Sequence, residues 1–166
     1  MITPGSIRAA VHADSEAIRA LAISNGMFAA EDMGGFDEML GGYLNGTLDR
    51  HFWIVAEDDH GAIAGASYYA PEPFSYRMWN LYFIAVDPAH HRDGTGSVLV
   101  EYVEATLRDL GDDEARVLIV ETSSLGGYEQ ARTFYRKKGF DEEARIRDFY
   151  GPGDNKVVFW KALGPE

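Results

Sequence analysis

The spacing of apolar residues predicts four helices. Apolar positions recur every three or four residues in four segments, although two glycines weaken the second. The predicted helices run from an Asp14 cap to about Asn25, from Phe36 to Asn45, from Gly94 to Leu110 and from Glu129 to Lys138. In the third helix the predicted apolar face is Leu99, Val103, Leu107 and Leu110, opposite Glu101, Glu104 and Arg108. Gly111 and Gly139 follow the last two helices, as expected of residues that end a helix.

Between these segments the pattern changes to β-rich runs. Strands are predicted in "SIRAAV", "HFWIVA", "AIAGASYYA", "WNLYFIAV", "ARVLIVET", "ARIRDFY" and "KVVFWKAL", with turns at "EDDHG" and "GPGDN". The fourth and fifth runs are apolar on both alternating faces, so we expect them to be covered on both sides, the fourth at the centre of the sheet. The order βααββ followed by βαβαββ predicts one mixed α/β domain over residues 1–166, with about 163–166 as a loose tail.

Composition narrows the class of protein. The chain has 166 residues and no cysteine, which excludes disulfides, thiolate metal sites and a cysteine acyl-enzyme; we expect no metal site. Its N-terminus lacks the apolar core of a signal peptide, and no apolar run reaches the roughly 18 to 20 residues that a bilayer needs. The net charge of -12 repels a phosphate backbone. We therefore predict a cytoplasmic protein with no membrane or nucleic-acid partner.

Basic residues concentrate in two places on this acidic background. They are "HHR" at 90–92 and "RKK" at 136–138. Either cluster could bind an anion, or both could be solvated surface, as single charge clusters often are.

The stretch "HHRDGTGSVL" at 90–99 places two glycines between a predicted strand and a predicted helix. It lacks the third glycine of a dinucleotide fingerprint and the Gly-Lys-Ser/Thr ending of a phosphate-binding Walker loop. Gly94 and Gly96 would still let the backbone approach a ligand, and the free N–H groups of the helix start favour phosphate. The stretch indicates a pyrophosphate cradle, or else a turn whose glycines only supply a positive φ.

Two motifs carry a resemblance to a known family. "IAVDPAHHRDGTGSVLVEYVEATL" resembles motif A of the GNAT family of N-acetyltransferases, Q/R-x-x-G-x-G/A after a strand, with His91 at the Gln/Arg position. "ARTFYRKKGF" resembles their motif B, and the two cover about Trp79 to Phe140. The resemblance implies a mixed, mostly antiparallel sheet with two central splayed parallel strands flanked by helices, acetyl-CoA as cofactor, and allows a homodimer.

The resemblance also implies where coenzyme A binds. Its pantetheine arm would pair with Ile84 and Val86, and nearby cationic side chains would neutralise its phosphates. The implied phosphate-binding residues are His91, Arg92, Asp93, Gly94, Thr95, Gly96 and Ser97, with Arg136 and Lys137 as further cations.

Two residues are candidates for proton transfer. Tyr135 lies in the second motif and matches the family's usual general acid; the alternative is a packed aromatic side chain beside Phe134. Glu121 closes a predicted strand on the same face as Val117 and Ile119, where desolvation would raise a carboxyl pKa and suit a base. The alternatives are a Glu121 that is solvated or paired with arginine, with water removing the proton.

The acceptor site is the least defined. The resemblance places it around Phe28, Glu31, Tyr69, Tyr128, Asp148 and Tyr150. Aromatic walls with carboxylates suit a cationic primary amine of small size, although each of these residues could equally be ordinary core or turn. The alternatives are acetylation of a protein N-terminus or lysine, and a non-catalytic acyl-CoA sensor.

Overall fold

The computed structural model describes residues 2, 3 and 6–164, and the elements follow the predicted order. The strands are β1 Ile7–Ala9, β2 Phe52–Glu57, β3 Ile63–Pro71, β4 Met78–Val86, β5 Val117–Ser123, β6 Asp141–Gly151 and β7 Asp154–Ala162. The helices are α1 Ser15–Ser24, α2 Gly34–Leu44, α3 Thr95–Leu110 and α4 Glu129–Lys137. Short 3-10 turns occur at His12–Asp14, Ala30–Asp32, Pro88–His90 and Gly126–Tyr128.

The seven strands form one mixed sheet in the order β1-β2-β3-β4-β5-β7-β6. The pairs β1–β2, β2–β3, β5–β7 and β6–β7 are antiparallel, whereas β4 and β5 are parallel. The parallel ladder runs only from Met78 opposite Val117 to Leu81 opposite Val120, although both strands continue further. This architecture confirms the predicted mixed α/β class with two parallel strands in the middle of the sheet.

The chain divides into two compact units, and β4 contributes to both. The first consists of Met1–Ala70 with Phe83–Ala105. Its core is aromatic: the Phe36 ring lies 5.2 Å from the rings of both Trp53 and Phe83. Helix α1 adds Ile18, which is completely buried in the same cluster. Apolar burial of this kind stabilises the unit by about 25 cal/mol per Å² removed from water.

The second unit consists of Pro71–Tyr82 with Thr106–Glu166. Helix α4 packs onto β7 through Tyr135, whose ring centroid lies 5.5 Å from that of Phe159. The β6–β7 hairpin turns at Gly151 and Asp154, as the Pro-Gly sequence between them predicts. Glu143 is skipped in the β6–β7 register, where Glu142 pairs with Phe159 and Ala144 with Val158.

Helix α3 departs from the predicted amphipathic pattern at two positions. Glu104 was expected on the solvent face but is 5% exposed, and Leu110 was expected inside but is 46% exposed. The buried face is wider than predicted, because Val100 is completely buried as well and Glu104 lies one turn after it. Leu110 is the last residue of the helix, where the following turn at Gly111 leaves it uncovered.

Asp14 holds the predicted N-cap position of α1 but makes no side-chain capping bond. Its carboxylate instead accepts from the Val11 N–H at 2.8 Å and from both terminal nitrogens of Arg8. The hydrogen bonds from Arg8 hold the pKa of Asp14 below its usual value. Asp14 thus forms a half-buried ion pair with Arg8, which joins β1 to the turn before α1.

The predicted loose tail starts too early. Leu163 is 3% exposed, and its N–H donates to the Arg116 carbonyl at 2.8 Å. Arg108 donates to the Leu163 carbonyl, which fixes the chain on both sides of this residue. Pro165 and Glu166 lie outside the described residues.

Candidate active site

The glycine turn after β4 leads directly into α3. Gly94 has φ +83°, and a Cβ built there would meet nothing within 4 Å. Residues 91–94 are exposed, so solvent or a ligand can reach the turn. Helix α3 is 16 residues long. As in any α-helix, its first N–H groups lack intrahelical partners and carry the positive end of the helix dipole. The turn therefore has the space and the polarity to hold an anion.

Asp93 occupies part of this helix start. Its Oδ1 accepts hydrogen bonds from the Thr95 N–H at 3.2 Å and the Thr95 hydroxyl at 2.5 Å. Its Oδ2 lies 2.5 Å from His90 Nδ1, and His90 Nε2 lies 3.7 Å from Asp58. The hydrogen bond with Asp93 raises the pKa of His90, and bonds from Thr95 and His90 lower the pKa of Asp93 against the opposing effect of burial. The Thr95 N–H is therefore already used, which leaves Gly94, Gly96 and Ser97 for an incoming anion.

His91 follows the 3-10 turn after β4, and its side chain bonds back to the end of that strand. Its Nε2 is 2.8 Å from the Val86 carbonyl oxygen and 3.1 Å from Asn25 Oδ1, and both atoms are acceptors. Asn25 Nδ2 also donates to the Val86 carbonyl, at 3.0 Å. That carbonyl is thus occupied by the protein itself, whereas the side chains of Ile84 and Val86 are only partly covered. The sequence analysis treated Asn25 only as a helix end and missed this contact.

Gly65 on β3 sets how closely α3 approaches the sheet. A Cβ added there would lie 3.0 Å from Leu99 Cδ1, 3.2 Å from Thr95 Cγ2 and 3.2 Å from the Ala85 carbonyl oxygen. All three contacts are with the first turn of α3 or with β4. The sequence offers only a glycine within a strand pattern as a signal of such close approach.

Glu121, the predicted base, is paired with a cation. Its Oε2 lies 2.9 Å from Lys156 Nζ, and the two side chains are 21% and 13% exposed. Its Oε1 accepts from Asn80 Nδ2 at 3.1 Å. Glu121 is therefore ion-paired, as the alternative interpretation expected, although its partner is a lysine and not an arginine.

Asn80 links Glu121 to a second carboxylate that the sequence analysis missed. The same Nδ2 atom donates to Glu72 Oε2 at 2.9 Å, and the Tyr82 hydroxyl donates to that oxygen at 2.8 Å. Asn80 is 1% exposed, whereas Tyr82 is 42% exposed. The strand β4 was predicted to be covered on both faces, but the face that carries Tyr82 is partly open, beyond the last ladder pair at Leu81.

Tyr135, the predicted acid, lies in an aromatic environment. Its ring centroid is 5.4 Å from Phe134, 5.9 Å from Phe140 and 5.5 Å from Phe159. Burial raises its pKa well above the ordinary value for tyrosine. The phenol is therefore protonated at neutral pH, as a proton donor must be.

The predicted acceptor residues divide between the two units. In the first unit Phe28 and Glu31 are exposed, but Tyr69 is 3% exposed and stacks on Phe52 at 5.4 Å. The Tyr69 ring is thus covered by its neighbours, much as the 5% exposed Tyr135 is, and its place in the acceptor site stays a prediction.

In the second unit Asp148 has a role in the hairpin. It has φ +56°, its N–H donates to Asn155 Oδ1 at 3.0 Å, and its Oδ1 accepts from the Gly153 N–H at 2.9 Å. Its carboxylate thus closes the β6–β7 turn. Tyr150 is 47% exposed; burial of its ring, with the charge of Glu121, raises its pKa to about 12.

The three arginine and lysine residues predicted to neutralise the phosphates are in different settings. Arg92 is exposed on the glycine turn. Arg136 is already engaged, since its Nη2 lies 2.9 Å from Glu142 Oε1. Lys137 lines a cavity of about 820 Å³ along α4, together with Gln130 and Phe134.

The sequence model of the acetyltransferase (GNAT) domain matches residues 49–142, more than half of the chain. The chain therefore belongs to the GNAT acetyltransferase family. This confirms the family that the two motifs indicated. No curated protein matches the chain at a significant level.

Solved structures agree with this assignment. A GNAT-family protein from Desulfovibrio desulfuricans is 30% identical, with a TM-score of 0.85 over 95% of this chain and 98% of that one. An aminoglycoside 6'-N-acetyltransferase complexed with coenzyme A shares the fold at 14% identity, with a TM-score of 0.73 over 96% of this chain and 98% of that one. The ribosomal-protein-S18-alanine N-acetyltransferase of Escherichia coli does so at 18% identity, with a TM-score of 0.73 over 100% of this chain and 96% of that one. No helix within residues 2, 3 and 6–164 is long and apolar enough to cross a membrane.

Proposed function

We propose that this protein transfers an acetyl group from acetyl-CoA directly to the primary amine of a small cationic molecule. The observation that carries the proposal is the exposed Gly94 turn, which precedes the long helix α3 in a chain of the GNAT acetyltransferase family. Helix starts of this kind bind phosphate groups. Location in the cytoplasm and a homodimer stay predictions.

The residues of the first unit fit coenzyme A. The N–H groups of Gly94, Gly96 and Ser97 would hold the pyrophosphate, with Arg92 as the nearest exposed cation. Ile84 and the N–H of Val86 would hold the pantetheine arm, since the Val86 carbonyl already accepts from His91. Acetyl-CoA supplies an activated thioester acyl group when bound.

Residues of the second unit would handle the protons. Tyr135 is a protonated phenol and would donate its proton to the departing thiolate. The acceptor ammonium must lose a proton before it can attack. Glu121 stays a candidate for this step, in competition with water, and its Oε2 is paired with Lys156 at 2.9 Å.

The acceptor class rests on charge. The chain carries a net charge of -12, so a cation is attracted over much of its surface. The related folds include an aminoglycoside acetyltransferase and a ribosomal-protein-alanine acetyltransferase, so the fold accommodates both a small amine and a protein N-terminus. A small amine is the first choice, since exposed aromatic rings next to carboxylates suit a compact cation.

The test measures thiol release from acetyl-CoA over a panel of primary amines, peptides and protein N-termini, with calorimetry of coenzyme A binding in parallel. Turnover on small amines, with kcat reduced in Tyr135→Phe and coenzyme A affinity unchanged, supports the proposal. Turnover on peptides alone favours protein acetylation. Tight acetyl-CoA binding without turnover on any acceptor would leave the acyl-CoA sensor as the function.

A further inference from the structure

The second unit contains a hydrogen-bonded network that has more acceptors than donors. Asn80 Nδ2 donates to Glu72 Oε2 at 2.9 Å and to Glu121 Oε1 at 3.1 Å. The Tyr82 hydroxyl donates to Glu72 Oε2 at 2.8 Å, and Lys156 Nζ lies 2.9 Å from Glu121 Oε2. One amide nitrogen thus joins two carboxylates of like charge. Such an arrangement is stable only where donors or positive charge offset the repulsion.

The positive charge in the network is unevenly distributed. Lys156 neutralises Glu121 and also lies 4.0 Å above the Phe149 ring. Glu72 receives only neutral donors, Asn80 and Tyr82, from the part of the chain that the structure describes. Both bonds go to Oε2, which leaves Oε1 for a further donor. Glu72 is therefore the carboxylate whose charge has no cationic partner within residues 6–164.

Asn80 supplies a second, independent indication of a ligand. The residue is 1% exposed, and its side chain lies between the two carboxylates. Its Oδ1 is buried and accepts no hydrogen bond from any described residue. A buried amide oxygen without a donor costs about 1–3 kcal/mol, so such groups are rare in proteins unless a bound molecule satisfies them. The amide cannot simply be reversed, because its oxygen would then face both carboxylates.

The surroundings of the network are aromatic and open. Tyr82, Phe149 and Tyr150 are 42%, 53% and 47% exposed. Because Lys156 already covers one face of Phe149, the two tyrosine rings are the ones that would meet a ligand cation. Exposed rings of this size beside a carboxylate are typical of sites that bind an organic cation, since the ring faces attract positive charge and the ring bodies cover apolar atoms.

From this network we propose that Glu72, held in place by Asn80 and Tyr82, binds the ammonium group of the acceptor, and that the acceptor is a primary amine with an aromatic or apolar body. That the ligand is the acceptor rests on the proposed acetyltransferase function. Binding of an amine at Glu72 can be measured without turnover. An ammonium carries three N–H donors, which supplies both the charge and the donors that the network lacks.

The test uses the full-length protein with 2-phenylethylamine as probe and the uncharged 2-phenylethanol as its counterpart. Calorimetry without acetyl-CoA measures binding to the wild type, to Glu72→Gln and to the matched control Glu143→Gln, an exposed residue on β6 with the same change of charge. We expect the amine to bind and the alcohol not to bind detectably. Glu72→Gln should weaken amine binding by about tenfold or more, as for loss of a charge-assisted hydrogen bond, with the control unchanged. Equal affinity in wild type and Glu72→Gln, or no amine binding at all, would overturn the inference.

Two further measurements separate its failure from other causes. If circular dichroism shows that Glu72→Gln does not fold, a crystal structure of the wild type with the amine decides. An amine nitrogen within hydrogen-bond distance of Glu72 supports the site. An amine nitrogen bound elsewhere rejects it. Thiol release separates the two proposals. Amine binding that depends on Glu72 without any turnover refutes acetyl transfer alone, whereas turnover with a KM unaffected by Glu72→Gln refutes the Glu72 site alone.

Discussion

Replacing Gly65 with alanine tests whether the close approach of α3 to the sheet positions the cofactor cradle. The added Cβ would lie 3.0 Å from Leu99 Cδ1 and 3.2 Å from both Thr95 Cγ2 and the Ala85 carbonyl oxygen. These distances are shorter than ordinary van der Waals contacts. Leu99 and Thr95 are 0% and 1% exposed, so their side chains have little room to move aside, and the Ala85 oxygen belongs to the backbone. Overpacking of this kind costs about 1–3 kcal/mol. For a chain of this length, each kcal/mol lowers Tm by roughly 2–4 °C.

The relief of these contacts should displace the start of α3 by a few tenths of an ångström and with it the N–H groups of Gly94, Gly96 and Ser97. A loss of about 1 kcal/mol in their bonds with pyrophosphate would weaken coenzyme A binding roughly fivefold. Urea unfolding followed by circular dichroism gives the stability change, and calorimetry gives the coenzyme A affinity of the folded variant.

The matched control is Gly35→Ala in α2, where an added Cβ meets nothing within 4 Å. Gly35→Ala should raise the free energy of unfolding by roughly 0.5–1 kcal/mol, because alanine has a higher helix propensity than glycine. Coenzyme A binding should stay unchanged. The reasoning about Gly65 is refuted if Gly65→Ala unfolds at the wild-type urea concentration and binds coenzyme A as tightly as the wild type.

Three further predictions concern the candidate site. Tyr135→Phe should lower kcat about 10²-fold with coenzyme A affinity unchanged, because only the proton donor is lost; an unaltered kcat assigns the ring to packing. Because Asp93 raises the pKa of His90 above its ordinary 6.5, the stability that this pair contributes is fully present below about pH 6.5 and is lost as pH rises through the folded-state pKa. Urea unfolding across this pH range should therefore show the difference between wild type and His90→Gln shrinking as pH rises, and a constant difference would contradict the pair. Lys156→Met should lower the free energy of unfolding by about 1–2 kcal/mol, because Glu121 loses its cation. Adding Glu121→Gln should recover part of this loss. Strictly additive effects in the double-mutant cycle would show that the two side chains are not coupled.

The local pattern of the sequence was sufficient to predict the helices, the strands and the glycine turn. Strand β5 is buried along both faces as its apolar run predicts, and Gly94 adopts the positive φ that its place between a strand and a helix indicates. Both properties depend on neighbours in sequence, on the period of side-chain directions and on the lack of a Cβ. Tyr135 and Glu121 could likewise be selected as candidates, the first from the second motif and the second from the end of a predicted strand.

What surrounds those residues depended on contacts between segments far apart in sequence. Glu121 was expected in an apolar environment, but Lys156 lies beside it because β5 pairs with β7, a contact across 35 positions that no local pattern records. Glu72 was missed although Asn80 and Tyr82 are only 8 and 10 positions away, because hydrogen bonds between these side chains depend on the folded positions of the two neighbouring strands.

The sequence by itself therefore determined the order of the elements, the family and the turn that opens α3, because these follow from periodicity and from backbone conformations that few residue types adopt. The tertiary structure alone decided which charges are paired and which carbonyls are occupied among the described residues. Those properties are set by distances of a few ångströms between side chains, and electrostatic and hydrogen-bond energies change steeply over such distances.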